Sequence, residues 1–185
     1  ATVGTVPEDF AYSRTDVVKD EYTGALTSVA YKYRFHGDLT YMSQQPSGAD
    51  AVTDYYFYEK NGEDYFQYTK KRDVSGEWVK VQLADSAYAQ RIAAKSILKT
   101  VFGGNYESFT YDEEQDLYIA ENLTVENRTT YQSVEIAFKD GKPANVTLHL
   151  PDTYKNGHRI SNFSVFSFTF ENQSIALPSA DKITG

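Results

Sequence analysis

The chain has 185 residues and a mass of 20.9 kDa, which suits one domain that buries about 70 % of its extended surface without metal or disulfide staples. With 18 basic against 26 acidic residues its net charge is −8, a balance that repels phosphate backbones and excludes an ordinary nucleic-acid binder. It contains no cysteine, which excludes thiol catalysis and zinc-thiolate sites, and no run of the roughly 18 apolar residues that a membrane-spanning helix needs.

Residues 1–14 read as a flexible tether, and the opening Ala, in place of Met, is expected of a chain trimmed of a targeting segment. Thr15 to Tyr22 is left open between a short helix, a strand and coil. From Thr27 to Phe35 the alternation of Val29, Tyr31, Tyr33 and Phe35 predicts a strand, turned by Gly37-Asp38 into a return through Leu39 to Met42. Ala51 to Glu59 carries Tyr55-Tyr56-Phe57-Tyr58, a strand with rings on both faces. Asn61-Gly62 is a hairpin signal leading into Tyr65 to Tyr68, and Ser75-Gly76 turns the chain again into Trp78 to Leu83.

One segment departs from period two. Asp85 or Ser86 is placed to cap a helix over Ala87 to Phe102, and Gly103-Gly104 stops it. Ala87, Ala94, Ile97, Leu98, Val101 and Phe102 fall within one arc of about 140°, so the helix is expected to pack on a sheet. Strands resume over Tyr106 to Tyr111 and Leu117 to Glu121, on either side of an acidic turn. Tyr131 to Phe138 and Val146 to Leu150 flank the second hairpin signal, Asp140-Gly141. In Ile160 to Phe170 the apolar positions change from odd (Phe163, Val165) to even (Phe166, Phe168, Phe170), which predicts a β-bulge near Val165-Phe166. Ile175 to Pro178 is expected to pair weakly at an edge.

Motifs that carry chemistry are scarce. His36, His149 and His158 lie on different predicted elements without metal-ligand spacing, and the acidic turn 112–116 lacks the glycine and distal glutamate of a calcium loop. Glu59, Asp64, Glu121 and Glu135 are the acids that a hydrolase reading would need to converge. The residues call for no catalytic group, no metal and no cofactor. Asn122, Asn127, Asn145, Asn162 and Asn172 each begin an N-x-S/T triplet; beside the absence of disulfides these favour a bacterial chain over a glycosylated one.

The order of elements resembles a known group. Aromatic strands precede a helix ending in Gly103-Gly104; then come Phe109-Thr110-Tyr111-Asp112 with Leu117-Tyr118, Phe138-Lys139-Asp140-Gly141-Lys142, and Phe168-Thr169-Phe170 before Ile175-Ala176-Leu177-Pro178. This is similar to small bacterial envelope lipoproteins of the LolA/LppX-like type, over about Thr27 to Pro178. The resemblance implies an extracytoplasmic α+β domain, lipid-anchored through a removed segment. Its strongly curved antiparallel sheet, an incomplete β-barrel, would hold one main helix on the concave side. Some members of the group carry lipids in an apolar cavity.

Together these readings predict one domain over residues 15–180 with its helix at 86–102. It is expected to act without catalysis and to bind an apolar or lipid ligand in a half-barrel cavity. Tyr31, Tyr33, Tyr56, Phe57, Tyr58, Leu98, Phe102, Phe166 and Phe168 would line that cavity, or simply meet as core. The alternatives are a module that binds an envelope protein or glycan through exposed tyrosines, and a hydrolase with convergent carboxylates.

Overall fold

Short connections force neighbouring strands to run antiparallel, and most of this chain is built that way. The computed structural model describes residues 7–48, 50–74, 76–125 and 128–184. Six strands come first: β1 (Asp9–Asp20), β2 (Leu26–His36), β3 (Leu39–Pro46), β4 (Asp54–Asn61), β5 (Asp64–Lys70) and β6 (Trp78–Leu83). A helical segment of 18 residues follows as α1 (Asp85–Ile92), a 3-10 turn (Ala93–Ser96) and α2 (Ile97–Phe102). The second set of strands is β7 (Thr110–Asp112), β8 (Leu117–Thr124), β9 (Thr130–Lys139), β10 (Lys142–His149), β11 (Thr153–Lys155), β12 (His158–Thr169) and β13 (Ile183–Thr184).

Among the described residues all 13 strands belong to one sheet, in the order β13-β6-β5-β4-β3-β2-β1-β12-β10-β9-β8-β7, with β11 on β12. Every pairing is antiparallel except β13 on β6. The expected incomplete barrel is corrected here: the strand path is open, its two ends are strands of two and three residues, and the sheet is neither closed nor strongly curled. Strand count and alternation report how many strands exist and which side chains share a face. They carry no measure of curvature. The accessible surface, 11323 Å², is about a quarter above the roughly 9,000 Å² expected of a compact chain of this mass, as a broad open layer requires.

The two halves meet at β1. It pairs with β2 on one side and with β12 on the other, from Ala11↔Thr169 to Asp20↔Ile160 without a shift. Residues 9–14, expected as tether, are thus half of a central strand, and Thr15 to Tyr22 resolves mostly as strand. The expected bulge at Val165-Phe166 is absent, because β12 keeps one register and presents Phe163 and Val165 to one face and Phe166 and Phe168 to the other. A register shift does occur, between Pro143 and Asn145 of β10 against β9. Ile175–Pro178 forms no strand, and Tyr106–Ser108 is a 3-10 turn, which leaves only three residues for β7.

The helical segment lies across one face of the sheet. It begins at Asp85 with no side-chain cap bond, unlike the expected capping by Asp85 or Ser86. Tyr88 stacks on Tyr65 of β5 at 4.6 Å, and the Tyr12 hydroxyl of β1 donates to the Ala94 carbonyl at 2.9 Å. Leu98, Val101 and Phe102 complete a core with Phe10, Phe35, Val134, Ile136, Val146 and Phe166. The Phe10 and Phe35 rings lie 4.7 Å apart and neither is exposed. Burial raises the Tyr12 and Tyr33 phenols above their ordinary range and pushes Tyr58 up to about 12, so these rings stay neutral.

The three histidines each sit beside a carboxylate: His36 by Asp9, His149 by Glu135 at 3.4 Å, and His158 by Asp20 at 2.8 Å. The His158 bond and the Thr23 and Tyr22 backbone N–H groups hold the Asp20 carboxyl at about 2, below its usual 3.8. A lowered carboxylate stabilises the fold above the ordinary value and loses that contribution as pH falls through the lowered one. Urea midpoints between pH 4 and pH 2 will therefore fall more steeply for the native chain than for Asp20→Asn. In the core, Phe35→Ala will cost about 3–5 kcal/mol in urea unfolding. Val165→Ala, on the opposite face, will stay within about 0.5 kcal/mol.

Candidate functional site

The strongest site candidate forms where the helix ends. The Gly103 N–H donates to the Lys99 carbonyl at 2.7 Å, and a Cβ on Gly103 would lie 2.5 Å from that oxygen, so the chain turns here only with glycine. Gly104 follows in the left-handed region at φ 81, and Asn105 Nδ2 donates to the Val101 carbonyl at 3.4 Å. This sharp exit throws Tyr106 and Phe109 back beside the sheet, with the Phe109 ring 5.9 Å from Phe102.

Opposite them lies an aromatic row on the same face as the helix. Tyr111 of β7 pairs with Tyr118 of β8, whose ring meets Phe138 of β9 edge-on at 5.4 Å. Tyr111 and Tyr118 rings lie 5.0 Å apart, and the Tyr111 hydroxyl donates to Asp116 Oδ1 at 2.8 Å, which raises that phenol. Between the two walls lies an open cleft of about 400 Å³, lined by Phe102, Tyr106, Phe109, Tyr118, Ile136, Phe138 and Gly141. Its lining holds no charged side chain, and its polarity comes from two tyrosine hydroxyls and backbone. Tyr106, Tyr118 and Phe138 remain 69, 40 and 38 % exposed.

The nine residues expected around a cavity are placed differently. Tyr33, Leu98, Phe102, Phe166 and Phe168 belong to the packed core, and Tyr31 rests against it. Tyr56 and Tyr58 share the helix side of β4, their rings 6.3 Å apart, whereas Phe57 points to the opposite face and packs on Trp78 at 5.1 Å. Only Phe102 of the nine lines the cleft. Most of the others pack as core, and Phe57 lies on the far face, because the sheet does not curl around a void. The residues missed by sequence reasoning are Tyr106, Phe109, Tyr118, Ile136 and Phe138. Their signal was an apolar, aromatic stretch directly after a double glycine, facing a strand whose alternation continues to its exposed end.

The candidate acids do not converge. Glu59 accepts a bond from the Tyr68 hydroxyl at 2.7 Å and Asp64 one from Gln82 at 2.9 Å, while Glu121 and Glu135 lie at least six places away along the sheet, on β8 and β9. Among the described residues no group of three or more His, Asp or Glu side chains is placed to hold a metal ion. No described helix is long and apolar enough to cross a membrane.

No family model and no curated protein matches this chain. Among solved structures, a DUF1329 family protein from Desulfovibrio piger aligns with 90 % of this chain and 85 % of its own, at 10 % identity and a TM-score of 0.26. A likeness of that degree carries no argument about function.

The geometry of the helix exit makes Gly103 decisive for the cleft wall. Gly103→Ala will destabilise the chain by about 1–3 kcal/mol in urea unfolding, because the added methyl must displace a helix carbonyl.

Proposed function

We propose that this chain is a non-enzymatic binding domain that takes an apolar ligand in the cleft at the helix C-terminus. The observation that carries the reading is an uncharged aromatic cleft of about 400 Å³ whose rings stay partly exposed. Contiguous exposed apolar surface on a chain of net charge −8 is costly in water, and a bound apolar group covers it. The volume lies within the range of small-molecule pockets, and the open mouth admits a single acyl chain without rearrangement of the core. A glycan site would pair such rings with side chains that bond sugar hydroxyls in both directions, and the lining offers only two phenols for that purpose. The extracytoplasmic placement belongs to the same proposal and rests on the resemblance of the sequence to envelope lipoproteins.

The test is native mass spectrometry after incubation with hexadecanol, beside fluorescence titration with a dansyl-labelled undecanoic acid. A one-to-one adduct that disappears on denaturation is expected, and Phe138→Asp, at a partly exposed position, will weaken the titration at least about tenfold while leaving the urea midpoint close to native. A bare mass with both probes, together with a shift on adding a β-linked glucose oligosaccharide, would turn the assignment toward a glycan module.

A further inference from the structure

The face away from the helix carries a second apolar feature. Successive register pairs line up Thr169, Ala11, Arg34, Tyr41, Phe57, Tyr68 and Lys80 in one row across seven strands, from β12 to β6. Trp78 stands beside the far end of the row, its ring 5.1 Å from Phe57. Among the described residues no α-helix crosses this face, yet Phe57 and Tyr68 are only 8 and 3 % exposed.

The C-terminal segment crosses the same face. β12 ends at Thr169 beside β1, while β13 lies along the outer flank of β6, so residues 170–182 must pass six intervening strands. Seven strand spacings amount to about 34 Å, which residues 170–182 span with room for the 3-10 turn at Ala180–Lys182 that precedes β13. Arg34 Nη1 donates to the Ser174 carbonyl at 3.5 Å, which places the crossing on the outer face and above the row. Ile175 and Leu177 are half-buried where Ser174 and Ala176 are exposed, the alternation of an extended segment with one side down. The far end is held by the two parallel pairs Ile183↔Trp78 and Thr184↔Val79, and by the Thr184 hydroxyl donating to the Trp78 carbonyl at 3.2 Å.

We infer that this row is a peptide-binding groove, floored by Tyr41, Phe57, Tyr68 and Trp78, which the chain's own segment 171–184 occupies in cis. The segment crosses the strands instead of extending the sheet, so its hold between the Arg34 contact and β13 is side-chain packing. Packing of that kind does not depend on covalent continuity at residue 170. The groove therefore accepts an extended segment with aliphatic residues at alternate positions followed by proline, as in Ile175-Ala176-Leu177-Pro178. The inference does not depend on the cleft on the opposite face.

Trp78 is the only tryptophan of the chain and reports directly on the groove. A chain ending at Glu171 is expected to keep its circular dichroism while Trp78 emission moves to longer wavelength. A synthetic peptide of residues 172–184 will restore the native emission saturably, and a peptide with Ile175→Asp and Leu177→Asp will bind at least about tenfold more weakly. A folded shortened chain with native emission, or one that ignores the peptide, overturns the inference. If the shortened chain does not fold, the full-length chain with the same two substitutions carries the test. It is expected to stay folded with red-shifted Trp78 emission; unfolding, or unchanged emission, overturns the inference equally.

Discussion

The pairing of β1 with β12 is the joint on which the whole architecture depends. Each block of strands on either side is assembled by hairpins between sequence neighbours, but the blocks become one sheet only because residues near the two ends of the chain form ten consecutive register pairs. A polar network fixes that register from the helix side. Arg14 reaches Asp16 through Nε at 2.6 Å and Nη2 at 2.8 Å, and Ser164 of β12, 148 residues distant, donates to the same carboxylate at 2.6 Å. A slip by one residue would exchange faces along the entire joint, separating these groups and exposing Phe166 and Phe168. Contacts of such sequence separation require loop closure before they return energy, so this joint is also the step expected to limit folding.

An open layer built in this way has two faces to cover. β4 and β12 are apolar on both, with Tyr56 and Tyr58 opposed to Phe57, and Phe166 and Phe168 opposed to Phe163 and Val165. On one face an 18-residue helical segment spans the joint, tied at Ala94 by Tyr12 and buried at Leu98, Val101 and Phe102. The other face is crossed by the C-terminal segment, tied at Ser174 by Arg34 and along β6 by β13. Neither cover reaches the full width of the sheet. Where the helix stops at Gly103, the aromatic row on β7, β8 and β9 is left partly open, and that unfinished burial is the physical origin of the cleft.

The polar groups of the molecule are used mainly for structure. Each histidine has a carboxylate beside it, Glu59 and Asp64 serve side chains of the same block, and the acidic turn is organised by Asp112, which accepts the N–H groups of Glu114 and Gln115 at 2.9 and 3.1 Å. The aromatic surfaces are what remains for recognition, and they lie on opposite faces with different geometry. On the proposals above, one takes an apolar chain and the other the chain's own C-terminal segment.

Local chemistry was enough to place most of the strands, three of the hairpin turns and the helical segment. Gly37-Asp38, Asn61-Gly62 and Asp140-Gly141 turn the chain as read, with Asp140 and Gly141 at φ 53 and 72, because turn geometry is decided by a few adjacent residues. The rings on both faces of β4 were legible from Tyr55-Tyr56-Phe57-Tyr58 for the same reason: alternation is a property of the strand itself. Tertiary structure decided everything that depended on a distant partner. Asp9–Asp20 has too mixed a pattern to declare itself and is a strand because β2 and β12 flank it. The phase change at Val165-Phe166 needed no bulge, since β12 keeps one register with apolar side chains on both faces and leaves Val165 41 % exposed. Of the nine aromatic and aliphatic residues expected around a cavity, eight are absent from the cleft lining, because periodicity assigns a side chain to a face but says nothing of what is packed against it. Burial is a relation between segments, and only the fold brings the segments together.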